Sequence, residues 1–220
     1  MLVLHDILLK TNTLKSIIFF IFALLVIFSC KKEVQQNTVP TTETKKVEET
    51  LPQLSKNDSL RILNDEILQI LKVKNYTELE KFIHPEKGVR FSIYGYIDAN
   101  KDKKFSKTEF EKYADSNIKF TWGETDGEGK PVVMSIKNYL DNWVFKKDFS
   151  QSKFSLNEFQ GSGNSLNNLQ KVYPQADFTE NYIAGTEQYG GMDWKTLRFV
   201  FEKSNGKYFL VAVINDEWTI

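Results

Sequence analysis

Three observations predict an α+β fold for the 163 residues from Asp58 onward: early apolar residues at helical spacing, late ones at a spacing of two, and an Asn205-Gly206 pair between two late runs. Helices first and an antiparallel sheet afterwards make an α+β layout rather than an alternating one. A stretch of this length buries roughly 70 % of its surface, which suits a single domain.

The elements follow in order. Asp58 or Ser59 caps a first helix in which Leu60, Leu63, Ile67 and Ile70/Leu71 share a face. A short second helix runs from about Thr77 to His84 with Leu79, Phe82 and Ile83 on one side, and Pro85 ends it by disfavouring helical ψ in the residue before it. Val89, Phe91 and Ile93 then alternate with Arg90, Ser92 and Tyr94, the pattern of a half-buried strand. Ser106 and Glu109 form a capping box ahead of Phe110, Tyr113 and Ala114. Ile118 to Glu124 reads as a strand stopped by the Asp126-Gly127-Glu128-Gly129 turn. Ser135 caps a helix that carries Ile136, Tyr139, Leu140, Trp143 and Val144 on one face, and Ser165 caps another from Leu166 to Tyr173 that Pro174 closes.

Leu197, Phe199 and Phe201 alternate with Arg198 and Glu202, Asn205-Gly206 supplies the positive φ of a type I′ turn, and Tyr208 to Ile214 is continuously apolar. An uninterrupted apolar strand is buried on both faces, so this hairpin belongs at the centre of the sheet or under a helix. A curved sheet wrapped around the N-terminal helices, the NTF2-like or cystatin-like cone, is the expected topology.

The N-terminus carries a different message. An apolar run of twelve residues, Ile17 to Phe28, follows Lys10 and Lys15 and ends in Ser29-Cys30. It is shorter than the roughly 20 residues of a membrane-spanning helix. The segment resembles a bacterial lipoprotein signal. That resemblance implies removal of residues 1–29, acylation (palmitate or a similar chain) of Cys30, and export to the cell envelope. Lys31 after the cysteine points, by the same resemblance, to the outer rather than the inner membrane. Residues 30–57 are then the lipidated cysteine and a tether: Lys31 to Asn57 has no aromatic residue, five threonines and two prolines, too little apolar area to offset ordering entropy. Residues 58–220 are the globular domain.

Composition narrows the chemistry. The mature chain keeps 27 basic and 28 acidic side chains, a balance that gives no electrostatic reason to expect nucleic acid. With Cys30 acylated no free thiol remains, which excludes disulfides, thiolate nucleophiles and cysteine-bound zinc. His84 is the one remaining imidazole, so multi-histidine metal sites are excluded as well.

The stretches HPEKGVRFS (from His84), FTWG (from Phe120), GSGNSLNNLQKVYP (from Gly161), YGGMDWKTLRFVFEK (from Tyr189) and GKYFLVAVINDEWTI (from Gly206) together cover most of the folded part. They resemble an uncharacterised bacterial secreted or lipoprotein domain. The resemblance implies an exported module and assigns it no reaction.

Four constellations bear on function. Asp98, Asn100, Asp102, Lys104, Ser106 and Glu109 stand at the ligand positions of a calcium loop, whose ion takes six to eight oxygens. Against calcium stand Lys103 where the turn wants glycine, the surrounding lysines, and a strand in place of the preceding helix. A polar turn followed by the capping box explains the same residues. No other cofactor is expected. His84 is the candidate base for any histidine mechanism, and its place at a helix end equally suits contact with helix carbonyls. Asp216 and Glu217 are adjacent on a strand and point to opposite faces, poor partners for one bond, and read as surface charge. Gly161-Ser162-Gly163-Asn164 lacks the lysine of a phosphate loop and reads as a turn.

Tyr189, Gly190, Gly191 and Trp194 form a glycine-paired aromatic loop expected to edge a pocket. The reading these features favour is a non-enzymatic, lipid-anchored envelope module that binds a small molecule or an envelope protein through a concave sheet face. The alternatives are a small NTF2-like enzyme with a carboxylate or His84 as base in an apolar pocket, and a structural envelope component.

Overall fold

The computed structural model describes residues 54–161, 163 and 166–219. Cys30, the apolar run before it, the tether as far as Gln53, and Ser165 lie outside the described residues. Thr50–Ile220 forms one compact unit with its own core.

The first helix, α1 (Lys56–Lys72), is capped by Ser55, whose hydroxyl accepts from the Asp58 N–H, so the cap lies upstream of the expected Asp58 or Ser59 and the helix starts within the stretch read as tether. Its buried stripe is Leu60, Ile67, Leu68 and Leu71, with Asn64 among them. The expected second helix is a 3₁₀ turn, Tyr76–Phe82; Ile83 is already extended, and His84 bridges Gly88 instead of ending a helix. Then come β1 (Val89–Ser92), β2 (Lys103–Phe105), α2 (Lys107–Tyr113), β3 (Phe120–Glu124) and β4 (Pro131–Met134). The short α3 (Ile136–Tyr139), capped by Ser135, runs into a π turn at Leu140–Val144. The chain ends with β5 (Lys153–Leu156), α4 (Leu169–Val172), β6 (Asp177–Ile183), β7 (Lys195–Ser204) and β8 (Lys207–Glu217). The expected Leu166–Tyr173 helix is thus one turn shorter at its start: Asn167 Oδ1 accepts the Leu169 N–H, and the Asn168 side chain bonds the N–H and carbonyl of Ile97.

Six strands form one sheet in the order β2-β1-β8-β7-β6-β5, antiparallel except for the β1–β8 pair, while β3 and β4 make a separate hairpin. The class is α+β, with helices packed on a curved, mostly antiparallel sheet. A bulge between Val200 and Phe201 bends the central pair. Asn205 and Gly206 both take positive φ, as the two-residue turn requires.

One face of the sheet carries Phe91, Leu197, Phe199, Phe201 and Val213 against α1, α2 and α3. Aromatic rings fill this layer: Phe91 meets Phe105, Phe110, Trp122 and Tyr139, and Trp122 stacks on Tyr139 with centroids 3.8 Å apart. The opposite face carries Phe178, Val200, Ala212 and Ile214, covered by Ile97, Phe159 and Leu169. The concave sheet face expected to bind a ligand is therefore occupied by the protein's own core.

Candidate functional site

Alternation along β7 places Arg198 on the second sheet face, beside Glu180 of β6 and Ile214 of β8. That face is covered, so Arg198 and Glu180 are wholly buried and Asp216 nearly so. Arg198 Nε donates to Glu180 Oε2 at 2.5 Å, Nη1 to Asp216 Oδ2 at 2.9 Å, and Nη2 to the Gly161 carbonyl at 3.2 Å. The other Glu180 oxygen accepts the N–H groups of Gln160 and Gly161, each at 2.7 Å. A backbone strap is thereby tied over the cluster. A Cβ on Gly161 would come within 2.9 Å of the Trp194 ring and one on Gly163 within 2.7 Å, so the glycines serve close packing. Asp216 and Glu217 do point apart, but Asp216 is a buried ion-pair partner rather than surface charge, and Glu217 pairs with Lys195. Burial, with Lys146 and Lys147 nearby, lowers the Lys195 amine to about 8.

His84 is buried, and its Nδ1 accepts the N–H groups of Glu86 and Lys87 at 3.2 and 3.1 Å. It caps a turn rather than meeting helix carbonyls. The Asp98 to Glu109 residues are split between tasks. Asp98 Oδ1 accepts the Asn100 N–H, Asp102 Oδ2 accepts the Asp98 N–H, Lys104 lies in β2, and Glu109 closes the capping box on Ser106. Among the described residues no group of three histidine, cysteine or acidic side chains is gathered to hold a metal ion. Burial lifts the Asp102 carboxyl to about 7, with the Asp98 N–H and Arg90 acting in the other direction.

The Tyr189–Trp194 loop is laced to itself. Asp193 accepts from the Thr186 N–H at 2.6 Å, Gly191 N–H donates to the Thr186 carbonyl at 2.8 Å, and Lys147 reaches the Asp193 carbonyl at 2.8 Å. Tyr189 is exposed, Gly190 and Gly191 take positive φ, and Trp194 is buried against the strap. Trp194 thus packs the strap down onto the sheet.

Two hollows lie on the outside of α1, and a third, of about 490 Å³, lies between residues 96–100 and 168–172. One, of about 570 Å³, runs between the start of α1 and the β7–β8 turn, with Leu54, Ile62, Leu63, Tyr208 and Phe209 as its apolar lining and Lys56, Lys203 and Lys207 as its charges. A second, of about 500 Å³, shares Ile62 and continues over Ile70 and Phe82 past Asp65, Glu66 and Glu78. Asp177 braces the first from behind: it pairs with Lys56 at 2.6 Å and accepts from Asn157 at 2.7 Å and from Tyr208 Oη at 3.0 Å. Burial and that bond push the Tyr208 hydroxyl up to about 12, while the three donors outweigh burial and hold Asp177 below the usual range. Sequence reading missed this groove because its walls come from segments some 140 residues apart; the signals were Ile62 on the polar side of the helix and the lysines flanking Asn205-Gly206.

No protein-family profile matches the chain, and no curated protein does. A solved structure titled as the NTF2 variant Rd1NTF2_05 overlays 73 % of this chain and 99 % of its own at 14 % identity and a TM-score of 0.34. The α+β assignment rests on the strand order and layers described above rather than on that overlay.

Proposed function

We propose that the protein is an exported module held to the bacterial envelope by acyl groups on Cys30, and that its globular unit binds a ligand or partner on the outer side of α1. The observation that carries this reading is the groove between α1 and the β7–β8 turn: an apolar floor left open, while both faces of the sheet are packed. An open apolar hollow with a few placed charges is the usual form of a binding site.

Two experiments test it. Cells fed a labelled fatty acid incorporate label into the wild-type chain and none into Cys30→Ser; equal labelling overturns the anchor. Crosslinking in envelopes recovers a specific species with wild type that is lost with Ile62→Glu, a change at a side chain 43 % exposed that leaves the fold intact. Identical recovery with both chains overturns the assignment of the surface.

A second reading, a small enzyme with a carboxylate base, has one observation in its favour: burial brings Asp102 to about 7, where a general base works near neutrality. The hollow beside it is lined by Asp98, Asn100, Asn168 and Lys171, with Asp102 outside the lining.

A further inference from the structure

The charges along the α1 trough have a direction. At the hairpin end the lining contains three lysines and no carboxylate, whereas at the far end Asp65, Glu66 and Glu78 outnumber the single Lys81. Lys81 pairs with Glu78 and Arg61 with Asp65, which leaves Glu66 as the far-end carboxylate without an ion pair among the described residues. At the hairpin end Asp177 already answers Lys56. Lys203 lies over the Tyr208 ring at 4.7 Å, and neither it nor Lys207 has a carboxylate partner among the described residues. Between the two ends the apolar floor runs from Phe209, Leu63 and Ile62 to Ile70 and Phe82, with Asp65, Glu66 and Gln69 of α1 along its outer edge. Leu54 and Ile62 leave 59 % and 43 % of their surface in water at this floor.

A ligand matched to such a trough has one anionic end and a long apolar remainder. The lysines attract the anion, while the far end offers no unpaired cation and keeps Glu66, so the orientation with the anion at the hairpin is favoured. We infer that the trough binds a long-chain carboxylate, a fatty acid. Its headgroup lies between Lys203 and Lys207, and its chain runs over Ile62 toward Ile70 and Phe82. The turn that presents the two lysines is held by the positive φ of Asn205 and Gly206, so the headgroup site is preformed. Apolar contact along the chain supplies most of the affinity, and the lysines supply the choice of acid over alcohol.

This inference rests on the reading of the α1 side as the binding surface, and its test is separate from the crosslinking above. The Thr50–Ile220 unit, which holds the complete core, is titrated by calorimetry with dodecanoate below its micelle concentration, and with dodecanol, octanoate and acetate. Dodecanoate saturates one site. Dodecanol and the Lys203→Gln/Lys207→Gln variant each bind about tenfold more weakly, as two exposed charge contacts allow. Phe82→Ala weakens dodecanoate and leaves octanoate unchanged, because only the longer chain reaches that end. Melting curves of both variants confirm that the fold is kept. Equal binding of acid and alcohol, indifference to the lysine variant, or no binding at millimolar dodecanoate overturns the assignment of the ligand. Loss of dodecanoate binding with the crosslinked species retained leaves the surface standing and removes only the fatty acid.

Discussion

Replacing Arg198 by methionine tests the buried charge cluster. The new side chain fills a similar volume, so the main loss is electrostatic. Glu180 keeps the N–H groups of Gln160 and Gly161, which limits its cost. Asp216 loses the guanidinium at 2.9 Å, and the Gly161 carbonyl loses its donor. Breaking a buried pair by removing one partner costs about 3–5 kcal/mol, because a charge stays buried without its counterion. The lower end applies here, given the two bonds that Glu180 retains. That is about a third of the stability of a typical domain. Urea unfolding followed by far-ultraviolet circular dichroism at pH 7 measures it. The triple variant Arg198→Met/Glu180→Gln/Asp216→Asn removes the two carboxylate charges and recovers part of the loss, which separates charge from packing. A single variant within about 1 kcal/mol of wild type, or a triple variant less stable than the single one, refutes the reasoning.

Other predictions concern titration and packing. The Asp102 carboxyl sits at about 7 in the folded protein against 3.8 ordinarily, so the folded state holds its proton more tightly. Stability from this group is therefore full below about pH 4 and is lost as the pH rises toward 7. The shift corresponds to an upper bound of about 4 kcal/mol, and partial solvent contact reduces it to about 2 kcal/mol. Asp102→Asn, which retains an acceptor for the Asp98 N–H, is accordingly more stable than wild type at pH 8 and equal to it at pH 4 in urea melts; a less stable variant at pH 8 contradicts the sign. Gly161→Ala drives a methyl into the Trp194 ring and costs about 1–3 kcal/mol, a loss relieved when Trp194→Phe is added. Thermal melts of the two single variants and the pair report the coupling. Ser106→Ala removes the cap on α2 and costs about 1 kcal/mol by the same assay.

What the sequence revealed of the fold, and what it concealed, follows from the range of the interactions. Asn205-Gly206, the Ser106/Glu109 box and the Ser135 cap are decided within four residues, and each stands where local chemistry placed it. The continuous apolar run of β8 told correctly of a strand covered on both sides. The alternation along its partner did not reveal that Arg198 is buried, because the strap that returns across β6 and β7 covers it only in the folded chain. Ile83 and His84 leave the helix early because the sheet claims them, His84 N–H bonding the Leu210 carbonyl at 3.0 Å. The candidate residues fared likewise. His84 and Trp194 were visible as types, but their roles depend on backbone groups and glycines that only the fold brings near. The groove was hidden because its lysines and its apolar floor meet only in three dimensions.

Backbone amide spectra of the Thr50–Ile220 unit, recorded with increasing dodecanoate, test residue by residue the proposal that binding takes place outside α1 and not within the sheet. The expected shifts are concentrated at Leu54–Ile70 and Lys203–Phe209, with Phe91, Trp122 and Tyr139 unmoved. Shifts centred on those three aromatic residues, with the α1 and turn amides silent, would contradict it.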